Sequence, residues 1–266
     1  METLYVIKIG GNVVDDPVGL QTFLEAFANV KGNKILIHGG GKVATQLGEQ
    51  MGIESKYVNG RRITDAPTLD LVTMVYAGLI NKKLVAALQA KGCNALGVTG
   101  ADANLIPAQK RAVQAIDYGY AGDVVSQAMD PLRWKQLLDQ QIVPVVAPIT
   151  HDGNGQLLNT NADTIAQETA KALSSVYRVE LIYTFEKSGV LLDAANDATV
   201  IAQLHSSNYA ALKDTGAIYA GMIPKLDNAF EALQSGVHAV RIGKADVLSS
   251  LINGTKGTLI CHDQEH

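Results

Sequence analysis

Two stretches decide how this chain reads: Leu4-Tyr5-Val6-Ile7-Lys8-Ile9-Gly10-Gly11 and Lys34-Ile35-Leu36-Ile37-His38-Gly39-Gly40-Gly41. Each is a short apolar run that stops abruptly in glycines, and each is followed by helical periodicity. After the first, Leu20, Phe23, Leu24 and Phe27 fall at i, i+3, i+4 and i+7, and Pro17 suits the first turn of that helix. After the second, Val43 and Leu47 mark a helix and Gly52 suits its end. Strand, glycine turn and helix, met twice in succession, is the grammar of a parallel sheet with helices on its faces.

The rest of the chain continues the pattern. A long helical stretch is expected from Asp65 to Gly92, with Leu69, Val72, Val75, Tyr76, Leu79 and Ile80 on a broad apolar face. That breadth suits partial burial in a partner subunit. Strands are expected at Ala95–Val98 and Ile142–Ala147, with a helix over Pro131–Gln140 between them. Residues 101–127 lose the helical period and read as a β-hairpin excursion carrying Lys110 and Arg111. Beyond Asn161 come a helix to about Ser174, a strand at Leu181–Phe185, a polar loop over Glu186–Thr199 and a helix from near Pro224. Strands at Val237–Ile242 and Thr258–Ile260 close the series. No linker separates the halves, so two lobes on one sheet are expected, 1–160 and 161–266.

Composition narrows the function. A low aromatic share of 5% with 25 glycines favours α/β over all-β. A net charge of -4 and a pI near 5.8 argue against a nucleic-acid or membrane-surface binder. Cys93 and Cys261 are too few for a disulfide framework or a four-ligand metal site, and both read as reduced thiols of a cytoplasmic protein. No signal peptide is evident, and no apolar run reads as long enough to span a bilayer.

The glycine turns point to phosphate. Glycine lets backbone N–H groups approach an anion closely, and a helix N-terminus behind the turn adds positive potential. Neither turn matches a Walker A loop or the dinucleotide fingerprint, and glycines also serve merely to make tight turns. Lys8 is sharper. Inside an apolar strand its ammonium needs a partner, and strand ends beside such turns are where α/β sheets bind ligands. An edge-strand lysine facing solvent is the alternative.

Five blocks in order carry a resemblance: Lys8-Ile9-Gly10-Gly11, His38-Gly39-Gly40-Gly41, Asn59-Gly60-Arg61-Arg62-Ile63-Thr64, Leu158-Asn159-Thr160-Asn161-Ala162-Asp163 and Gly221-Met222-Ile223-Pro224-Lys225. Together they resemble the amino acid kinase family, over nearly the whole chain. The resemblance implies a three-layer αβα sandwich around a mainly parallel open sheet. The 1–160 lobe would take the acylated amino acid and dimerise, and the 161–266 lobe would take ATP with Mg²⁺. The reaction implied is phosphorylation of the γ-carboxylate of an N-acylglutamate, acetyl or succinyl, in arginine biosynthesis.

By motif position, Lys8 and Lys225 resemble the family's transition-state lysines, and Asp163 the carboxylate that holds them. Gly10, Gly11 and Gly41 would bind phosphate; Gly40, Gly41, Arg62 and Asn159 would bind the amino-acid substrate. Locally, Asp163 also reads as a helix N-cap, Asn159 as a turn residue, and Lys225 as a solvated lysine. An acceptor carboxylate with a pKa of about 4.3 is already ionised at neutral pH, so no general base is required. What is required is cations, which the lysines and Mg²⁺ supply.

The nucleotide segment departs from the family. Phe185-Glu186-Lys187-Ser188-Gly189 stands where many members have Ser-Asp-Val-x-Gly; Glu186, Lys187, Gly189 and Met222 are the candidates there. With the first strand beginning beside Met1 go the expectations of no arginine feedback and of a homodimer. Two other readings stay open: an acyl-aminoadipate kinase of lysine biosynthesis, and a non-catalytic amino-acid sensor on the same fold. A succinyl group would call for another cation, and Lys110 or Arg111 is placed to provide one.

Overall fold

The structure, a computed structural model, describes residues 1–193, 195–215, 218 and 222–261. The strands are β1 (Thr3–Ile9), β2 (Asn33–His38), β3 (Tyr57–Val58), β4 (Arg61–Arg62), β5 (Ala95–Val98), β6 (Ala108–Lys110) and β7 (Gly122–Val124). They continue with β8 (Val143–Val146), β9 (Ile149–His151), β10 (Leu157–Asn159), β11 (Arg178–Phe185), β12 (Gln203–His205), β13 (Ala239–Lys244) and β14 (Thr258–Cys261). Eight of them form one sheet in the order β12-β14-β13-β11-β1-β2-β8-β5. Its pairs are parallel except β13 with β14. The sheet runs unbroken through both halves of the chain, and β1 lies at its centre between β2 and β11.

The helices are α1 (Gly11–Val14), α2 (Pro17–Asn29), α3 (Gly41–Gln50), α4 (Ala66–Val72), α5 (Asn81–Gln89), α6 (Pro131–Asp139), α7 (Ala162–Leu173), α8 (Ser206–Asp214), α9 (Ile223–Gln234) and α10 (Leu248–Ile252). They pack on both faces, giving the expected three layers. One face buries Ile7, Ile9, Leu36 and Val145 under Phe23, Phe27 and Leu84. The other buries Leu4, Val6, Ile35 and Val146 under Trp134, Ile165 and Leu226. Strand period 2 puts Lys8 on the Leu4 and Val6 face, the side on which α7 lies.

Local chemistry sets the helix starts. Asp16, Asp65 and Asp130 cap α2, α4 and α6, each just ahead of a proline in the first turn. Asn161 caps α7, its Oδ1 accepting from the backbone N–H groups of Asp163 and Thr164. The cap is therefore Asn161, which leaves the Asp163 carboxylate free for other partners.

The long helical stretch is one rod, Ala66–Gln89, but it is not uniformly α. Thr73–Ile80 winds as a π-helix between α4 and α5. By length and apolar composition this rod is long enough to cross a membrane, contrary to the sequence expectation. Here it lies on the sheet, burying Val72, Val75, Tyr76, Ile80, Leu84 and Leu88 and exposing Met74 and Leu79. The excursion over 101–127 is the β6–β7 hairpin. Elements the periodicity did not disclose are α1, the β3–β4 and β9–β10 hairpins, β12, α8 and α10. Both cysteines are free thiols.

Candidate active site

The ends of β1 and β2, the first turns of α3 and α7, the β3–β4 hairpin and β10 surround one cavity of about 250 Å³. Lys8, Gly11, Gly40, Gly41, Arg62, Asn159 and Asp163, drawn from four separate sequence blocks, all line it.

Two of the lining residues, Lys8 and Asp163, join Lys225 from outside the lining in a charge triad. Lys8 Nζ lies 2.7 Å from Asp163 Oδ1. Lys225 Nζ donates to Asp163 Oδ2 at 2.8 Å. Lys8 arrives from the centre of the sheet, Asp163 from the first turn of α7 and Lys225 from the first turn of α9. Burial alone would push the Asp163 carboxyl up; the two ammoniums outweigh it and hold it well below the usual carboxylate range. One carboxylate between two ammoniums leaves net positive charge, with the N-terminus of α7 adding to it. Tyr183 on β11 steadies the same turn, its hydroxyl donating to the Asp163 carbonyl at 3.2 Å.

The two glycine turns face each other. A side chain at Gly39 would approach Gly11 Cα within 3.8 Å, and one at Gly11 would come 4.0 Å from the Gly40 nitrogen. Gly10 sits behind them. Its N–H donates to the Thr184 carbonyl at 2.9 Å, and a Cβ there would lie 3.1 Å from that oxygen. Gly10 therefore serves close approach of β1 to β11, with its amide already used.

Arg62 is buried, stacked 4.7 Å over the Tyr57 ring. It donates to the Gly41 carbonyl at 2.9 Å, to Thr45 Oγ1 at 3.0 Å and to Ser55 Oγ. The β3–β4 hairpin that delivers it turns through Asn59 and Gly60, both at positive φ. Asn159 donates to Thr64 Oγ1 at 2.9 Å. Lining residues that the sequence did not single out for the site include Tyr57, Arg61, Tyr76 and Asn161; Arg111, expected only as a spare cation, also lines the cavity. Arg111 is ion-paired to Asp123 across the β6–β7 hairpin, while Lys110 lies over the Tyr120 ring.

The remaining candidates lie elsewhere. Glu186 accepts from Asn12 Nδ2 at 3.1 Å in the bend after β11, and Lys187 follows it. At Gly189 a Cβ would sit 2.6 Å from Thr258 Oγ1 and from Val200, so its place is one of packing. Met222 packs partly buried against the core beside α9, and Gly221 lies outside the described residues. A second cavity of about 400 Å³ opens at the same edge of the sheet, beyond β11 and β13; Ser188, Lys244, Asp246 and Lys256 are among its lining. Among the described residues, no group of three or more His, Cys, Asp or Glu side chains is arranged to hold a metal ion.

An open, mainly parallel sheet that gathers glycine turns, helix N-termini and paired lysines at its strand ends defines an αβα protein built to hold phosphorylated ligands. The chain belongs to the amino acid kinase family, whose profile matches residues 3–244. It is 54% identical over 257 residues to the acetylglutamate kinase of Cytophaga hutchinsonii, covering 96% of this chain and 97% of that one. The acetylglutamate kinase of Bacteroides fragilis is 52% identical, covering 97% of each. The solved structure of smu.665 from Streptococcus mutans superposes with a TM-score of 0.78 at 27% identity, covering 98% of this chain and 99% of that one.

Proposed function

We propose that this protein is an ATP-dependent acetylglutamate kinase, converting the γ-carboxylate of N-acetyl-L-glutamate to its acyl phosphate in arginine biosynthesis. The observation that carries the reading is the Lys8–Asp163–Lys225 triad, whose Lys8 and Asp163 line one cavity with two glycine turns, Arg62 and Asn159. The acetylglutamate kinases that share over half of its residues support the choice of acceptor.

The chemistry follows from charge. A carboxylate oxygen of the ionised acceptor bonds to the γ-phosphorus as the bond to the ADP oxygen breaks, and no proton needs to move. The two anions repel until cations stand between them. Lys8 and Lys225 supply ammoniums held in place by Asp163, and the Gly11, Gly40 and Gly41 turns face the same space. Arg62 and Asn159 grip the α-carboxylate, Arg62 exchanging some of its present partners for a bidentate contact. Mg²⁺ would accompany the nucleotide and supply further positive charge against the phosphates, beside that of Lys8 and Lys225. Asp163, already shared by two lysines, is not placed to ligate it.

Residues 1–160 form the amino-acid lobe and 161–266 the nucleotide lobe. The second cavity suits the nucleoside end, with Lys244 and Lys256 offering positive charge; Glu186, Lys187, Gly189 and Met222, the other nucleotide candidates, lie outside its lining. The exposed Met74 and Leu79 suit a homodimer contact, and the cytoplasm is the expected compartment. One observation favours a second acceptor: Arg111 faces the cavity, where the distal carboxylate of a succinyl group would meet it. The test is a hydroxamate assay with MgATP across N-acetylglutamate, N-succinylglutamate, N-acetylaminoadipate and aspartate. Turnover of acylglutamate is expected; none with any acylated amino acid would leave the sensor reading standing.

A further inference from the structure

His38 ends β2 immediately before the second glycine turn and is completely buried. Its Nδ1 lies 2.8 Å from the Gly39 carbonyl oxygen and its Nε2 3.1 Å from Asn81 Nδ2. Asn81 is itself buried. Its Nδ2 donates its other hydrogen to the Val145 carbonyl at 2.8 Å, and its Oδ1 accepts from Lys82 Nζ at 3.1 Å. Lys82 is anchored in turn on the Gly97 carbonyl.

These partners fix the protons. Val145 offers only an acceptor and Lys82 only a donor, so the Asn81 amide has one orientation, nitrogen toward His38. Nε2 must then accept, and the proton of a neutral imidazole resides on Nδ1, where it donates to Gly39 O. Burial pushes the ring's pKa down to about 4, so it is neutral at working pH. In a planar trans peptide, C=O and the next N–H point in opposite directions. With the Gly39 carbonyl drawn toward the ring, the Gly40 N–H is turned away from it. Gly40 lines the cavity, and among the described residues no backbone carbonyl accepts from its N–H.

The π-helical segment accounts for the placement. It holds one residue more per turn than an α-helix, so α5 begins rotated relative to α4. Asn81, the first residue after it, sits beneath His38, while Ile80 and Tyr76 from within it stand against Gly40, where a Cβ would clash with Ile80 Cδ1.

We propose that His38 is a positioning residue for phosphoryl transfer: Asn81 holds it as the Nδ1–H tautomer, and that tautomer pins the Gly39 carbonyl so that the Gly40 N–H is presented to the anion in the cavity. The inference rests on the kinase reading above, but its first test needs no activity. In ¹⁵N-histidine NMR of the full chain, His38 should show a protonated Nδ1 and a bare Nε2; a protonated Nε2 overturns the proposal. Asn81→Asp keeps the size and replaces the donor by an acceptor, which calls the proton to Nε2. With MgATP and N-acetylglutamate, kcat should fall about 10- to 100-fold while KM for ATP stays within about threefold. A shifted proton with unchanged kcat overturns it.

The substitutions at position 38 give a third readout. The amide nitrogen of His38→Asn overlays Nδ1 and can still donate to Gly39, whereas that of His38→Gln overlays Nε2 and cannot. His38→Asn should retain about tenfold more kcat than His38→Gln. Equal losses would reduce His38 to core packing. Should the wild-type chain turn over no acylated amino acid, the kinase reading fails while the tautomer is still decided by the NMR.

Discussion

Lys8 occupies a strand position that would otherwise be apolar, and its ammonium ends 2.7 Å from a carboxylate it shares with Lys225. A lysine placed only to neutralise Asp163 would be redundant, since Lys225 already does so. Two cations on one anion leave charge for a third party, which is the requirement of a transferring phosphoryl group. Lys8→Ala should therefore lower kcat by about 10²- to 10³-fold while KM for the amino acid changes little. Near-normal kcat in steady-state assays would return Lys8 to a structural part. Because both lysines act through one carboxylate on one phosphoryl group, the Lys8→Ala, Lys225→Ala double variant should lose less than the product of the single losses. Multiplicative losses would show that they act separately.

The triad was legible as residue types at spaced blocks, but its geometry was not. The sequence offers Asp163 as a helix cap, and only the structure shows Asn161 in that place, with Asp163 turned inward. Tyr183 has no signal of this kind in the sequence, because it reaches the site by pairing of β11 beside β1, a relation that local sequence does not carry.

At the scale of elements, strands with a glycine stop were readable because a parallel strand is apolar throughout and its turn must be tight. The β3–β4 hairpin was not, since two residues per strand give no alternation to detect, although Asn59-Gly60 is a strong turn signal. The π-helical segment was also invisible: Thr73–Ile80 is apolar on most sides, so an added residue per turn leaves no trace in the periodicity. Its consequence is nonetheless testable at Gly40. A methyl there meets Ile80 Cδ1 and comes 3.2 Å from Tyr76, so either the π-segment or the glycine turn must shift. Gly40→Ala should raise KM for N-acetylglutamate about tenfold or more and cost about 1–3 kcal/mol of stability. Trimming the obstacle with Ile80→Val in the same chain should recover part of the loss. No recovery would mean that the turn, rather than the helix beneath it, resists the methyl.

At the scale of the molecule, one sheet carries both lobes, so a buried group near its centre reports on the whole fold. His38 is such a group, neutral in the folded protein down to a pH of about 4 and ordinary, near 6.5, once unfolded. Between those values the unfolded chain binds a proton that the folded chain refuses. The sign follows: stability is independent of this histidine above about pH 6.5 and falls as pH drops toward 4, by at most about 3 kcal/mol. Asp163 acts in the same direction but in a lower window, because its depressed carboxyl loses its contribution only below the ordinary value of 3.8. The two are thus separable by pH. Urea titrations from pH 7 to 4.5 should show the decline in the wild-type chain and a markedly flatter profile in His38→Asn, which has no proton to refuse. An equal slope in both would mean that His38 is accessible to protons in the folded state and that the Asn81 relay does not hold it neutral.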